Sequence, residues 1–224
     1  MLLNLFQKKT CIVCIHGFGR RRVDEFNNLV SALDKKYDFV IPNLYDLKNP
    51  EDTDAEKWIE RADNALRQAM KTNRKVYLIG FSMGGVIASH LASKYNVERV
   101  VLIDPAFDYI TLKTAQQTVG KIFTKKAPTT SKYPELPSSF TSTFMKVVNT
   151  CKEDIEQVKC PILFISASDD EVIPNSSSTK TFRKVKNPAS KCITLEGGQH
   201  RLLDDSSLSK TTIFLIDNFI QAKF

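Results

Sequence analysis

An α/β fold, with a mostly parallel sheet of about six strands flanked by helices, is what the 224-residue sequence predicts. Three features point there. Short apolar runs with little polar alternation recur along the chain, the pattern of strands buried on both faces. Between them lie segments with apolar residues at i, i+3, i+4 and i+7, the stripe of a helix packed on a sheet. The runs end on turn-forming residues, most abruptly at Gly80-Phe81-Ser82-Met83-Gly84-Gly85, which follows Val76-Tyr77-Leu78-Ile79 directly.

Taken in order, residues 10–15 are a continuous apolar run closed by His16-Gly17-Phe18-Gly19. A helix follows, with Asp24 placed to cap it and Phe26, Leu29, Val30 and Leu33 as its buried stripe. Residues 37–41 form the next short strand, ended by Pro42. After a polar loop, Thr53-x-x-Glu56 reads as a capping box, and Trp58, Ala62, Ala65, Leu66 and Ala69 mark a helix running to about Thr72. Then come a strand at 75–80, a helix at 83–95, and a strand at 99–103 ending in Asp104-Pro105. Uninterrupted alternation of this kind predicts right-handed βαβ units.

The pattern breaks between 107 and 150, where two helix-like pieces (109–123 and 139–149) flank a connector containing Pro128, Pro134 and Pro137. A stretch this long between strands reads as a short helical lid inserted into a core made of 1–106 and 151–224. It is basic, with Lys113, Lys121, Lys125, Lys126, Lys132 and Lys146 against Asp108 and Glu135. A solvated face accounts for that as readily as a preference for anionic ligands. Alternation resumes with a strand at 161–166, a polar turn through Asp169 and Asp170, a helix to about Val185, a strand at 191–195 and a closing helix from Ser206.

Composition narrows the function classes. With 42% hydrophobic and 25% charged residues the chain is an ordinary globular protein. The N-terminal segment places its lysines after a very short apolar piece, the reverse of a secretion signal, so the cytoplasm is the expected compartment. The apolar stretch 213–220 is broken by Asp217 and is far shorter than the roughly 20 residues needed to cross a bilayer, so stable membrane insertion is not expected. The net charge of +7 is scattered, without the aromatic-interleaved basic motif of a nucleic-acid binder. Five cysteines, mostly in apolar runs, suit reduced thiols. Cys11 and Cys14 on one strand would lie on opposite faces, about 10 Å apart and beyond disulfide reach. Oligomeric state is not written in the sequence.

The chemistry centres on Ser82. A strand, a sharp turn and a helix are the context in which a serine hydroxyl is presented at a sheet edge, with flanking glycines where backbones come close. Such a hydroxyl needs a base, and histidine is poised for that near neutral pH. Of three histidines, His90 lies roughly 12 Å along the helix axis from Ser82 and is too far. His16 sits at a strand end, whereas His200, in the loop after a late strand, is free to reach over the sheet edge and is the expected base. A base needs an acceptor on its other nitrogen. Asp170 is preferred over its neighbour Asp169, and Asp104 is the outside candidate, since an Asp-Pro step more often simply turns the chain. Backbone N–H groups of Phe18 and Met83 are placed to form an oxyanion hole, and His16, Gly17 and Phe81 to line the substrate.

His16-Gly17-Phe18-Gly19, Gly80-Phe81-Ser82-Met83-Gly84-Gly85, Asp170-Glu171-Val172-Ile173-Pro174 and Gly197-Gly198-Gln199-His200 together resemble the α/β-hydrolase superfamily. In particular they look like its small carboxylesterase and monoacylglycerol-lipase-like members with a short lid. The order Ser82, Asp170, His200 matches that fold. The resemblance covers about 10–224, apart from the lid. It implies a serine hydrolase acting on a small-molecule carboxylic ester or thioester through an acyl-enzyme on Ser82, with no metal or organic cofactor. A peptidase or acyltransferase using the same triad, or a non-catalytic binding protein of the same fold, are the alternatives. Two departures stand out. Only nine residues precede the first parallel strand, so the antiparallel strands that usually open the fold are expected to be reduced or missing. Arg20-Arg21-Arg22 after the first loop raises the prospect of an anionic ester.

Overall fold

The computed structural model describes residues 10–72, 75–108, 136–174 and 176–224. Its strands are β1 (Thr10–Ile15), β2 (Asp38–Val40), β3 (Lys75–Phe81), β4 (Val100–Ile103), β5 (Ile162–Ala167) and β6 (Lys191–Leu195). They form one sheet in the order β2-β1-β3-β4-β5-β6, and every ladder is parallel. Among the described residues no strand precedes β1. The register pairs Ile15 with Gly80, Phe81 with Ile103, and Ile103 with Ile165. The residues that follow, His16, Ser82, Asp104 and Ser166 onward, therefore emerge side by side along one edge, where ligands bind in open parallel sheets.

Helices cover both faces. On one face lie α2 (Ala55–Thr72), α3 (Met83–Lys94) and α4 (Phe140–Cys151), burying Trp58, Leu66, Met83, Ile87, Phe140 and Val147 against Val13, Leu78 and Leu102. On the other lie α1 (Asn27–Leu33) and α6 (Ser209–Ile220), burying Phe26, Leu29, Ile216 and Phe219 against Ile12, Ile79 and Ile165. A shorter helix, α5 (Ser176–Phe182), follows β5. Cys11 belongs to the first layer and Cys14 to the second, as an odd offset along a strand requires, and all five thiols are free. No helix among the described residues is long and apolar enough to cross a membrane.

Several local expectations are corrected. The helix expected from Asp24 opens as a 3-10 turn, Arg22–Phe26, and α1 itself has no side-chain cap. At the start of α2 the cap is Asp54, whose Oδ1 accepts the Glu56 N–H at 2.9 Å, and not Thr53. Thr53 instead offers its carbonyl to the Thr143 hydroxyl, tying α4 to α2 at 2.9 Å. The expected helix at 109–123 and the connector as far as residue 135, Pro128 and Pro134 included, lie outside the described residues. The second piece of the expected insertion is α4, whose Phe140 and Phe144 are buried.

Candidate active site

The turn from β3 into α3 holds Ser82 at φ 52°, ψ −119°, a left-handed φ that a side chain adopts only when its surroundings enforce it. Three backbone hydrogen bonds enforce it. Ser82 N–H donates to the Ile103 carbonyl at 2.9 Å, and its own carbonyl accepts from Gly85 at 3.0 Å and Ala106 at 3.1 Å. The flanking glycines are there for close approach. A Cβ on Gly80 would lie 2.3 Å from the Gly84 carbonyl oxygen, and one on Gly84 would lie 1.9 Å from that of Ile15. The Met83 N–H is in the first turn of α3, where amides have no intrahelical acceptor.

His200 is brought to this turn by the loop after β6. Its ring packs on that of Phe81 with centroids 4.9 Å apart. Nδ1 is 2.8 Å from Asp170 Oδ2, so the proton sits on Nδ1 and Nε2 is the basic nitrogen. Asp170 is fixed in turn, its Oδ1 accepting the N–H groups of Val172 at 2.7 Å and Ile173 at 2.8 Å. Asp169 faces elsewhere: its Oδ1 accepts from the Ser168 hydroxyl and its N–H donates to the Gly198 carbonyl. His90 is committed to a different partner, with Nδ1 2.5 Å from Asp154 Oδ2.

The loop after β1 is held by three side chains that sequence patterns did not single out for this work. His16 is fully buried, its Nδ1 donating to the Gly17 carbonyl at 2.8 Å and its Nε2 accepting from Leu44 N–H at 3.0 Å. Burial pushes its pKa down to about 4, which keeps the ring neutral and able to play both parts. Of the three residues expected to line the substrate, His16 thus has both ring nitrogens engaged with backbone, while Gly17 and Phe81 sit beside the serine. A Cβ on Gly17 would lie 3.1 Å from that of Ser82. Tyr45 Oη accepts from Gly19 N–H at 2.7 Å and has the Gly19 and Gly17 carbonyls at 2.7 and 3.3 Å. Glu25, 5% exposed, accepts the Gly17 N–H at 2.9 Å, and burial raises its pKa to about 7. Nothing in the sequence marks Tyr45 or Glu25, since each acts across a fold-dependent gap. Phe18, whose N–H was the expected oxyanion donor, stacks its ring on Phe144 at 4.9 Å.

The arginine triplet is largely spent on structure. Arg21 grips Asp204 with two nitrogens, at 2.8 and 3.1 Å, and Arg22 donates to the Tyr45 carbonyl at 3.2 Å. Asp104 sits between the ends of β3 and β5 and is 1% exposed. One carboxylate oxygen from each of Asp104 and Asp170 and one ring nitrogen of His200 lie within 4.8 Å of one another. That spacing would suit a cation, but Nδ1 and Oδ2 already face each other at hydrogen-bond distance.

Solved structures that resemble the chain over nearly its whole length are α/β-hydrolases, which defines the fold. One is from work on two metagenome-derived lipolytic enzymes, with a TM-score of 0.81 at 17% identity, covering 96% of this chain and 95% of that one. A lipase-esterase related protein of Clostridium acetobutylicum has a TM-score of 0.72 at 20% identity, with 94% of each chain covered. A monoacylglycerol lipase of Paleococcus ferrophilus has a TM-score of 0.69 at 14% identity, covering 96% and 95%. No curated protein matches. The chain belongs to the family described as Uncharacterised protein family (UPF0227), whose model matches residues 11–212.

Proposed function

We propose that the protein is a serine hydrolase that cleaves a carboxylic ester or thioester of a small molecule, acting in the cytoplasm. The observation that carries this reading is the Asp170–His200 pair packed through Phe81 against the strained Ser82 turn. The lipolytic enzymes among its structural neighbours agree with it. In this mechanism His200 Nε2 takes the Ser82 proton as Oγ attacks the acyl carbon, and Asp170 stabilises the imidazolium through Nδ1. The N–H groups of Met83 and Phe18 receive the oxyanion, held ready by the His16, Tyr45 and Glu25 contacts to the loop. Collapse releases the alcohol or thiol with the proton from Nε2, and water then repeats the sequence to free the acid. Residues 107–150 form the insertion that selects the acyl and alcohol groups.

A fluorophosphonate probe tests the reading. The wild type is expected to be labelled and Ser82→Ala not; a folded wild type that stays unlabelled sinks the proposal and favours a binding role. A panel of esters and thioesters of graded length and charge then ranks substrates, and turnover of amides alone would reassign the reaction.

A further inference from the structure

Asp104 is a buried carboxyl that the mechanism above does not use. Its backbone has φ 42°, a left-handed value carried by a non-glycine residue directly before Pro105. Its N–H donates to the Ile165 carbonyl at 2.9 Å, and its Oδ1 accepts the Ala167 N–H at 2.8 Å. The first contact ties the Asp104 backbone to β5, and the second holds its side chain at the end of β5, from which the Asp170 turn departs. Its Oδ2 is sealed from solvent and has no hydrogen-bond partner. A polar atom left this way is costly unless it does something.

Among the described residues the titratable groups facing Asp104 are Asp170 and Glu171 after β5 and His200 after β6. Two buried carboxyls so close together do not both ionise beside a neutral imidazole, because each anion raises the free energy of the other. Which one ionises is decided by donors. Asp170 receives the His200 Nδ1–H and two backbone N–H groups, whereas Asp104 receives a single backbone N–H. The negative charge settles on Asp170 and the proton on Asp104. Burial and the Asp170 charge both push the Asp104 carboxyl well above the ordinary carboxylate range, in the same direction.

We propose that Asp104 is a positioning residue for the candidate acid–base pair, carrying on Oδ2 the one proton the two carboxyls share and presenting it to Asp170. This role presupposes the hydrolase reading of Ser82, His200 and Asp170. A donor on Asp170 draws off part of its charge, so less of that charge faces the His200 Nδ1–H. Without the donor, the Asp170–His200 pairing tightens.

Two measurements decide it. In protein labelled with carbon-13 aspartate, the Asp104 carboxyl carbon, identified by its loss in Asp104→Asn, is expected at the shift of a neutral acid and flat from about pH 5 to pH 8. An ionised carboxyl in that range overturns the proposal whether or not the protein is catalytic. The second readout is the pH dependence of fluorophosphonate labelling. Asp104→Leu is expected to move the acid limb upward by about half to one pH unit, while Asp104→Asn, which keeps a neutral donor, holds it near the wild type. Coincident limbs in all three proteins leave Asp104 a purely structural residue and overturn the proposal. A wild type that is never labelled counts against the Ser82 reading instead, and the carbon spectrum still decides the proton.

Discussion

Gly84→Ala is the sharpest perturbation the geometry offers. α3 runs so close over β1 that the new Cβ would sit 1.9 Å from the Ile15 carbonyl oxygen, 2.5 Å from its carbon and 2.6 Å from the His16 oxygen. An ordinary carbon–oxygen contact is about 3.2 Å or more, so the helix must retreat from the strand by roughly 1 Å. All ten residues from Met83 to Ala92 are buried, and the shift loosens contacts along that whole length. Overpacking of this kind typically costs about 1–3 kcal/mol and can exceed it when the obstacle is backbone. We expect about 3 kcal/mol, which for a chain of this length lowers Tm by about 6–12 °C. Gly197→Ala is the control: nothing lies within 4 Å of its Cβ and only the φ of 77° is strained, so about 1 kcal/mol and about 2–4 °C are expected. Thermal unfolding of both variants measures the difference. Because α3 carries Ser82 and β1 leads into the Phe18 loop, Gly84→Ala should also slow fluorophosphonate labelling, on the order of a hundredfold for a 1 Å displacement. A Gly84→Ala protein no less stable than Gly197→Ala would mean that α3 is not seated on β1 as described.

Three further expectations are independent of that one. Asp170→Asn should cut ester turnover by about 10⁴-fold, whereas Asp169→Asn should cost much less; the reverse ranking would move the acid to the neighbouring residue. Burial raises Glu25 from its ordinary 4.5 to about 7, so the folded state keeps a proton the unfolded chain has already released. Its contribution is whole below about pH 4.5 and is lost as pH rises through 7, by about 3 kcal/mol. His16, lowered from 6.5 to about 4, acts oppositely: stability present above pH 6.5 is lost on acidification toward 4. Tm measured from pH 4 to 9 should therefore decline less steeply between 5 and 8 in Glu25→Gln than in the wild type, and parallel curves would show that Glu25 is ionised throughout. With Arg21 and Arg22 engaged by Asp204 and Tyr45, the proposed preference for anionic esters would rest on Arg20. Arg20→Gln should raise KM for anionic esters alone, and an equal rise for neutral ones dismisses the idea.

Where the fold was legible in the sequence, the signal was local. The apolar runs of β1, β3, β4 and β5 stand out because strands buried on both faces need no polar alternation, and the stripe of α2 is marked by residues that bury one side. Caps were less legible: Thr53 and Asp54 are adjacent, both suit an N-cap, and which one serves depends on how the entering chain is held. For the candidate site, the choice of Asp170 over Asp169 turned on a one-residue difference in a turn, and the structure sets Asp170 against His200. Glu25 and Tyr45 were invisible because each reaches the Gly17 to Gly19 loop across 8 and 26 residues of chain, and no local pattern encodes such a contact. The extent of Asp104's burial was hidden for the same reason.

The grip of α4 on the loop after β1 bears on any attempt to re-engineer specificity. Phe144 stacks on Phe18 at 4.9 Å, and Phe140 meets Tyr45 at 5.4 Å and Trp58 at 5.2 Å. A chimera that exchanged 107–150 as a block would replace the proposed selector and at the same stroke remove both rings that brace the loop. Grafts joined ahead of Pro137 keep the brace and change only the segment proposed to select substrate. Comparing the two kinds of chimera tests selection by the segment separately from the support that α4 gives the loop.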